Sequence, residues 1–445
     1  MVNIAQISKN NKKFFVCSSA SCRERMFDCQ KIVDYLSING WSPAKKISKA
    51  DTIIINTCSF NPEEDESSIG LIRHYLTRKK NSAQLIITGC MPAINPALLK
   101  VLGDFPCVIP TKLEALDEII GAGVRFNGVK DPVSISAQSV SYRPLLKIML
   151  YFKSAVRWFI SEFELSWEFI NKLVKSWSIS LFYIRLLDKN INPFIVNNMN
   201  NLRYLRISKG CLGACSYCAK RFATGRVVSK PLVEIIDEFK AGLECGSKNF
   251  YIISEDSGCY GLDIGTNIAE LLHKIFEIGN NIDFKLAITN FNAQWFVKYF
   301  DQLKSILLFN QRKILYLQIP VQSGSNKILK LMNRPYRSEE IKRCLLDLRK
   351  EAPGLALTTD IIVGFPGEKE EDFKQTEDFI KITKFTHIDI FTYADRIGSL
   401  SLSMPDKVPQ NVIIRWKFEL LKNHRRKGNG LLVLKKAIEI GKEAV

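Results

Sequence analysis

The sequence lacks the segments that mark secreted and membrane-spanning proteins. Its first residues, Met1 to Gln6, lead into polar Asn and Lys without an apolar segment, so we expect no secretory signal and a cytoplasmic protein. No uninterrupted run of about 18 apolar residues occurs, so a membrane-spanning helix is not expected. The sequence also shows no repeat of fixed period and no low-complexity tract. A folded globular protein remains, and its 445 residues predict two or three domains.

Two residue classes are abundant instead. The 63 Lys and Arg residues exceed the 45 Asp and Glu residues and give a net charge of +18, which is compatible with a polyanionic partner. The chain also contains 12 cysteines. A disulfide scaffold is excluded, because disulfide-dense proteins are short and secreted. In a reducing compartment clustered cysteines more often bind metal or react, so their positions relative to the strands indicate what they do.

Residues 1–127 predict a small doubly wound α/β domain with a parallel sheet. Short apolar, largely β-branched runs predict buried strands at 14–16, 52–55 and 85–88. Helical patterns lie between them at 28–36 and 67–79. Ligands of such sheets collect at the carboxyl ends of the strands. Cys22, Cys58 and Cys90 each follow a different strand, so we expect them to converge on one crevice. Their positions alone leave metal ligation and plain apolar burial equally open.

Residues 128–200 differ in character from the preceding domain. We interpret 128–141 as a linker and 142–190 as a helical insert that is rich in aromatic and basic side chains. Such helices can lie on a membrane surface or stack on nucleic acid. We therefore expect the insert to contact substrate, a partner or a membrane surface, or simply to pack on the body of the protein.

Residues 201–410 predict a second α/β unit. Six strand patterns alternate with helices, which implies a parallel barrel or an incomplete one, here a partial TIM-like (β/α)6 barrel: 205–207, 249–253, 284–288, 314–319, 355–363 and 387–393. Residues 411–445 predict only a basic helix.

The first strand of this unit runs into a loop with three cysteines, Cys211, Cys215 and Cys218. Their C-x3-C-x2-C spacing is short enough for three thiolates to surround one inorganic cluster. A structural zinc site requires four protein ligands, and the loop contains no fourth Cys or His. Three ligands on a cubane cluster would leave one iron open to a substrate. The alternatives are three structural cysteines, or a zinc knuckle that takes a distant fourth ligand.

With this loop at the end of the first barrel strand, the chain resembles the radical S-adenosylmethionine superfamily. The resemblance implies a 4Fe–4S cluster on the three loop cysteines, whose open iron is chelated by the amine and carboxylate of S-adenosylmethionine. Tyr217 matches the aromatic residue that packs near the adenine. The later barrel loops also match the pattern, and the residues implied to bind the cofactor are Ser254, Glu255, Asp256, Gln322, Ser323, Asp360, Gly364 and Phe365.

The later loops and the N-terminal cysteines together resemble the methylthiotransferase family. Residues 56–58 (NTC) and 88–90 (TGC) match the second and third N-terminal cysteine motifs. The first motif, normally GCQMN-x-x-DS, corresponds to residues 21–29, with Cys22 as the ligand. It departs from the pattern at Ser21, Arg25 and Cys29 and has one extra residue after the strand, so Cys17 is a rival for the role of Cys22. We expect the remaining cysteines to be plain buried residues: Cys29, Cys107, Cys245, Cys259 and Cys344.

The resemblance implies two 4Fe–4S clusters, with an auxiliary one on Cys22, Cys58 and Cys90, and two S-adenosylmethionine molecules per turnover. One molecule methylates sulfur at the auxiliary cluster. The other yields a 5′-deoxyadenosyl radical that abstracts hydrogen from an unactivated carbon, which then receives the methylthio group. Side-chain acid–base chemistry cannot break such a bond, so no side-chain catalytic residue is assigned. An external electron donor and a sulfur source are also implied.

The substrate is less clearly indicated than the reaction. Residues 254–267 are most similar to the archaeal and eukaryotic branch, which modifies threonylcarbamoyladenosine in tRNA, and the net charge suits RNA. Three departures favour other acceptors: only 438–442 resembles the usual C-terminal TRAM domain, the insert at 142–190 has no counterpart, and 395–399 replaces a Pro-rich segment. We expect a monomeric enzyme that acts on tRNA. The alternatives are a peptide or protein residue, a small metabolite, and a non-enzymatic Fe–S protein that binds RNA.

Overall fold

The computed structural model describes residues 12–19, 22–135, 141–142 and 202–426. The chain divides into two compact units, residues 1–191 and 192–445. Apart from residue 142, the predicted insert lies outside the described residues, and so does the TRAM-like segment at 438–442. Over the part of the chain that is described, no helix is long and apolar enough to cross a membrane.

The first unit alternates strands with helices. In chain order its elements are β1 (Lys13–Ser18), α1 (Arg23–Ile38), β2 (Ser42–Pro43), β3 (Thr52–Thr57), α2 (Pro62–Leu76), β4 (Gln84–Gly89), α3 (Met91–Ile94), α4 (Pro96–Lys100), β5 (Cys107–Val108), α5 (Leu116–Ile120) and β6 (Ser141–Tyr142). The sheet has the order β2-β1-β3-β4-β5, β6 pairs with β1, and every pairing is parallel. The predicted doubly wound α/β fold is confirmed.

Helices cover both faces of this sheet. Successive side chains of a strand point to opposite faces. Ile54 in β3 therefore packs in an apolar cluster with α1, whereas Ile53 and Ile55 pack in a second cluster with α2. Every residue of β3 is buried, as the continuous β-branched run predicts for a central parallel strand.

The second unit contains the predicted barrel strands. Its elements are β7 (Leu202–Arg206), β8 (Ser208–Lys209), α6 (Lys220–Thr224), β9 (Val228–Ser229), α7 (Leu232–Glu244), β10 (Asn249–Ile253), α8 (Ile268–Ile278), β11 (Lys285–Ile288), α9 (Ala293–Lys298), α10 (Phe300–Phe309), β12 (Ile314–Gln318), α11 (Asn326–Leu331), α12 (Ser338–Glu351), β13 (Leu357–Val363), α13 (Glu370–Thr383), β14 (His387–Thr392) and α14 (Gln410–Arg426).

Six of these strands form one parallel sheet in the order β14-β13-β12-β11-β10-β7. Each strand lies beside the next one in the chain, with helices between them, so the carboxyl ends of all six lie at one edge. β7 and β14 are the two ends of this order, and the described strands therefore form an open barrel. This confirms the predicted partial barrel. The loops that follow β7, β10, β12 and β13 are the ones that carry the cofactor motifs.

Two helices of the first unit begin earlier than the sequence predicts. α1 begins at Arg23. The sequence pattern missed its first turn because the buried side chains there, Glu24 and Arg25, are polar and an apolar pattern does not reveal them. α2 begins at Pro62, after Asn61, whose side chain accepts a hydrogen bond from the backbone N–H of Glu64. Asn followed by Pro is a known helix start, and this signal was available in the sequence.

Candidate cofactor and cluster sites

Cys22, Cys58 and Cys90 lie at the carboxyl edge of the first sheet. Cys58 directly follows β3 and Cys90 directly follows β4, while Cys22 is the N-cap residue of α1 in the connection after β1. These three strands are neighbours in the sheet. Burial, followed by the charges of Cys22, Glu64 and Cys90, raises the pKa of Cys58. The structure thus places the three cysteines after neighbouring strands at one edge of the sheet, and their convergence on a shared cluster stays a prediction.

Gly89 allows the ends of β3 and β4 to approach each other. Its φ is +95°, and a side-chain carbon at this position would lie 2.2 Å from the carbonyl oxygen of Thr57. The same carbonyl oxygen accepts a hydrogen bond of 2.9 Å from the backbone N–H of Cys90. Glycine is therefore required directly before Cys90, because any side chain would separate the two strand ends that carry Cys58 and Cys90.

One departure from the first cysteine motif, Arg25, has a structural explanation. Arg25 forms a buried ion pair of 2.9 Å with Asp28, so the added charge is compensated within the helix. Cys17 lies inside β1, opposite Ile55, and is fully buried in the apolar cluster against α2. Cys22, by contrast, is half-buried at the sheet edge. The structure thus places Cys17 inside a strand and Cys22 at the sheet edge, and the role of Cys22 as the first auxiliary ligand stays a prediction.

The prediction for the remaining cysteines is partly wrong. Cys29, Cys259 and Cys344 are buried, but Cys107 and Cys245 are exposed. Cys107 lies in the two-residue strand β5 at the end of the sheet order, and Cys245 is the C-cap residue of α7. Both positions are at the periphery of their elements, so neither side chain reaches an apolar core.

The second group of cysteines lies in the loop after β7. Cys211, Cys215 and Cys218 are each half-buried. The backbone N–H of Gly213 donates a hydrogen bond of 3.1 Å to Sγ of Cys211. A side-chain carbon at Gly213 would lie 3.2 Å from this sulfur and 3.6 Å from Sγ of Cys215. Burial, followed by Cys215, raises the pKa of Cys218, so the third thiol is also nearby.

The donor groups of this loop fit an iron–sulfur cluster. Within residues 12–19, 22–135, 141–142 and 202–426, no three His, Cys, Asp or Glu side chains are arranged to hold one metal ion. Iron–sulfur clusters are held by cysteine thiolates, and hydrogen bonds to the sulfur atoms tune their potentials. The loop supplies three thiols, a glycine that keeps a side chain away from two of them, and an N–H donor to one of them.

Glu255 and Ser254 connect the end of β10 with the start of the cysteine loop. The Glu255 carboxylate accepts a hydrogen bond of 2.9 Å from the backbone N–H of Gly210, and the Ser254 hydroxyl lies 2.7 Å from that of Ser208. Gly210 has φ +76°, and a side-chain carbon there would lie 2.1 Å from the carbonyl oxygen of Arg226. The two predicted site residues therefore shape the loop that carries the thiols.

Asp256 is a buried carboxyl group next to Cys211. Its Oδ1 accepts backbone hydrogen bonds from Gly258 at 3.0 Å and Asn292 at 3.3 Å. Its Oδ2 accepts hydrogen bonds from the indole of Trp295 at 3.1 Å and from the Cys211 thiol at 3.6 Å. Burial nevertheless raises the pKa of Asp256. Asn292 and Trp295 were missed in the sequence, because neither belongs to a cysteine or glycine motif.

Cys259 also contacts this group of residues. Its thiol donates a hydrogen bond of 3.2 Å to the carbonyl oxygen of Asp256. Interaction with Cys211, followed by burial, raises the pKa of Cys259. The expectation that Cys259 is buried is correct, but it is in contact with a cysteine of the loop.

Tyr217 and Phe365 meet although they lie in different loops. Their ring centroids are 6.3 Å apart in an edge-to-face arrangement. Phe365 is fully buried and packs with Ile328 and Met332. Its position depends on Gly364, whose φ is +82°. The structure thus brings together two of the aromatic residues that the sequence assigned to the cofactor site.

The loop after β12 is held by backbone and buried side-chain contacts. Gln322 has φ +72° and donates its backbone N–H to the carbonyl oxygen of Asp360 at 2.8 Å. The Ser323 hydroxyl is fully buried and lies 3.2 Å from that of Thr376 in α13. Burial, followed by Asp389, raises the pKa of Asp360 to about 7. Ser323 therefore contacts a helix of the scaffold in this structure.

Comparisons with known proteins agree with this geometry. The Radical SAM superfamily matches residues 205–380, and the uncharacterized protein family UPF0004 matches residues 14–106. A probable threonylcarbamoyladenosine tRNA methylthiotransferase of Pyrococcus horikoshii is 30% identical over 85% of this chain and 76% of its own length. The ribosomal protein uS12 methylthiotransferase RimO of Clostridioides difficile is 28% identical over 91% and 80%.

A solved structure supports the fold. The radical S-adenosylmethionine methyltransferase TsrM of Kitasatospora setae superposes with a TM-score of 0.52 at 12% identity, covering 86% of this chain and 75% of its own.

An open parallel barrel with three cysteines after its first strand defines a radical S-adenosylmethionine enzyme, with a 4Fe–4S cluster and S-adenosylmethionine as cofactors. The family match to the N-terminal unit and the relatives that cover 85% of this chain identify a narrower family within this class. The chain belongs to the radical S-adenosylmethionine methylthiotransferase family, and it is an enzyme.

Proposed function

We propose that this enzyme transfers a methylthio group to threonylcarbamoyladenosine in tRNA. The observation that carries the proposal is the similarity to probable tRNA methylthiotransferases of Pyrococcus horikoshii and Pyrococcus abyssi, at 30% and 29% identity. The loop at 254–267 supports the same branch of the family, and the net charge of +18 suits a phosphate-rich substrate.

We also propose the ligands and the domains that carry them. Residues 1–127 would hold an auxiliary 4Fe–4S cluster on Cys22, Cys58 and Cys90. Residues 201–410 would hold the radical-generating cluster on a second set of thiols, which are Cys211, Cys215 and Cys218. The support is that each set lies at the carboxyl edge of one parallel sheet, where loop residues of neighbouring strands meet.

The protein's part in the reaction is to hold the groups in place and to keep the site ordered. The bound cofactors supply the radical and the sulfur chemistry, together with an external electron donor and a sulfur source. Gly213 donates its N–H to Cys211, and Glu255 fixes the loop through Gly210. Asp256 accepts hydrogen bonds from both Cys211 and Trp295, and so connects the cysteine loop to α9.

The test is a direct comparison of substrates with the reconstituted enzyme. The assay uses tRNA that carries threonylcarbamoyladenosine, the same tRNA with unmodified adenosine, and ribosomal protein uS12 from the same organism. We expect mass spectrometry to show a methylthio group only on the modified nucleoside. The matched control is Cys215→Ala, which should abolish both release of 5′-deoxyadenosine and product formation.

A protein substrate is the second candidate. Methylthiotransferases of ribosomal protein uS12 from several bacteria match this chain at 24% to 28% identity. Methylthiolation of uS12 with no change in the tRNA nucleoside would contradict the tRNA proposal and support this alternative. Product on neither would contradict both and favour a small metabolite.

A further inference from the structure

Arg334 is a buried cation whose hydrogen-bonding partners are neutral. It lies between α11 and α12 and is 9% exposed. Its Nη1 donates a hydrogen bond of 2.7 Å to Oδ1 of Asn292, and its Nη2 donates one of 2.6 Å to the hydroxyl of Tyr217. Its Nε has no acceptor. Among the described residues, no carboxylate forms an ion pair with its guanidinium group.

Such an arrangement is unfavourable in the chain alone. A buried charge is costly unless an opposite charge or a full set of hydrogen bonds compensates it. The hydroxyl of Tyr217 and the amide of Asn292 are dipoles and supply no negative charge. The charge of Arg334 acts to lower the pKa of two buried carboxyl groups, Asp256 and Asp360, but burial outweighs it and raises both pKa values. A guanidinium group kept here without an ion pair therefore points to a further negative partner outside the protein chain.

The position of Arg334 identifies that partner. Tyr217 lies between Cys215 and Cys218 in the cysteine loop, and Asn292 donates its backbone N–H to Asp256, which in turn contacts Cys211. Arg334 is therefore one hydrogen bond away from the loop through Tyr217, and near Cys211 through Asn292 and Asp256.

We propose that Arg334 is the counter-cation of the radical-generating cluster, a positioning residue that acts through Tyr217 and Asn292. This rests on the proposed ligands Cys211, Cys215 and Cys218. A 4Fe–4S core held by three thiolates carries net negative charge, and reduction by one electron adds to it. A nearby buried cation stabilises the reduced form more than the oxidised form, so it raises the reduction potential and helps to retain the cluster.

Two variants separate the charge of Arg334 from its hydrogen bonds. Arg334→Lys retains the positive charge, whereas Arg334→Gln retains a hydrogen-bond donor without the charge. The measurements use the reconstituted enzyme: a redox titration monitored by electron paramagnetic resonance, following the signal that changes when S-adenosylmethionine is added, and the rate of iron loss to a chelator. Circular dichroism of the cluster-free chains confirms folding.

We expect the Lys variant to remain near the wild-type potential and the Gln variant to shift to a more negative potential. Iron loss from the Gln variant should be about tenfold faster or more, as for other residues that support metal ligands. In the cluster-free chain the Gln variant should be at least as stable as wild type, because a buried cation without an ion pair has been removed.

The matched control is Arg349→Gln. Arg349 also bonds only neutral oxygens, the carbonyl groups of Pro353, Leu355 and Lys384, and none of them belongs to the cysteine loop. This variant should leave the reduction potential and the rate of iron loss unchanged, because, within the described residues, Arg349 makes no contact with the cysteine loop.

Several outcomes would overturn the proposal. They are a Gln variant with the wild-type potential, equal shifts in the Lys and Gln variants, and a shift in the Arg349 control as large as that at Arg334. An error in the proposed ligands would give a different result. If Cys211, Cys215 and Cys218 do not hold a cluster, the wild-type enzyme itself would show no paramagnetic signal that responds to S-adenosylmethionine.

Discussion

The indole N–H of Trp295 donates a hydrogen bond of 3.1 Å to the carboxyl group of Asp256, which is 2% exposed. Trp295 lies in α9, whereas Asp256 follows β10, so this contact joins two successive loops at the carboxyl edge of the barrel sheet. A buried carboxyl group depends strongly on each donor that it retains. The pair is therefore a structural support of the cysteine loop.

We predict strong energetic coupling between these two residues. In a double-mutant cycle of Trp295→Phe and Asp256→Asn on the cluster-free chain, the coupling free energy of unfolding should be about 1–3 kcal/mol. Trp416 and Glu370 provide the control, because that indole donates a hydrogen bond of 3.0 Å to a half-exposed carboxylate. Their coupling should be below about 1 kcal/mol. Equal coupling in both cycles would show that burial of Asp256 does not matter.

We predict that Gly89→Ala destabilises the first unit and removes iron from it. The new carbon would meet the carbonyl oxygen of Thr57 and the positive φ would be strained, so the free energy of unfolding should fall by about 2 kcal/mol or more. Gly121→Ala is the control, because Gly121 also has a positive φ (+67°) but no neighbouring atom within 4 Å. It should lose less stability and no iron. If both variants lose similar stability and iron, backbone strain from the positive φ is the cause, and the close contact with Thr57 is not.

Cysteine variants distinguish between Cys17 and Cys22 as the first auxiliary ligand. Cys22 lies near Cys58 at the sheet edge, so Cys22→Ala should lose about four irons per chain while retaining reductive cleavage of S-adenosylmethionine. Cys17 points into the apolar cluster with Ile53, so Cys17→Ala should lose stability and retain its iron. The measurement is the iron content of each reconstituted variant. Iron loss from Cys17→Ala with full iron in Cys22→Ala would instead identify Cys17 as the ligand.

We predict that Glu368 makes the fold less stable as the pH rises. Burial raises its pKa to about 7, although its Oε2 accepts backbone hydrogen bonds from Gly364 at 2.6 Å and Phe365 at 3.0 Å. A raised carboxyl pKa contributes stability below the unfolded value, and this contribution is lost as the pH rises through about 7. Between about pH 5 and 8, the melting temperature of Glu368→Gln should therefore rise relative to wild type.

Glu377→Gln is the control with the opposite sign. Burial acts to raise the pKa of Glu377, but hydrogen bonds from Lys381 and Asn423 outweigh burial and lower it. The stability from this group is present at neutral pH and lost as the pH falls through its lowered pKa. Glu377→Gln should be less stable than wild type at neutral pH and approach it in acid. A common pH trend in both variants would contradict the assignment.

The sequence by itself determined the two α/β units and the candidate cysteines. Buried strands such as β3 and β10 appear in it as short β-branched or apolar runs, and the candidate cysteines come after such runs. The bounds of α7 and α13 are also those predicted, because each helix has a regular apolar face. These features are local in the chain, so a pattern of neighbouring residues is sufficient to reveal them.

Only the tertiary structure decided which residues surround the thiols. Arg334, Trp295 and Cys259 come from three different segments of the chain, yet the parallel sheet brings them to the edge where Cys211 lies. The same long-range packing made Cys107 exposed. A residue's charge and size are local properties, but its burial and partners depend on strands that are distant in the chain, and a single sequence does not record these distances.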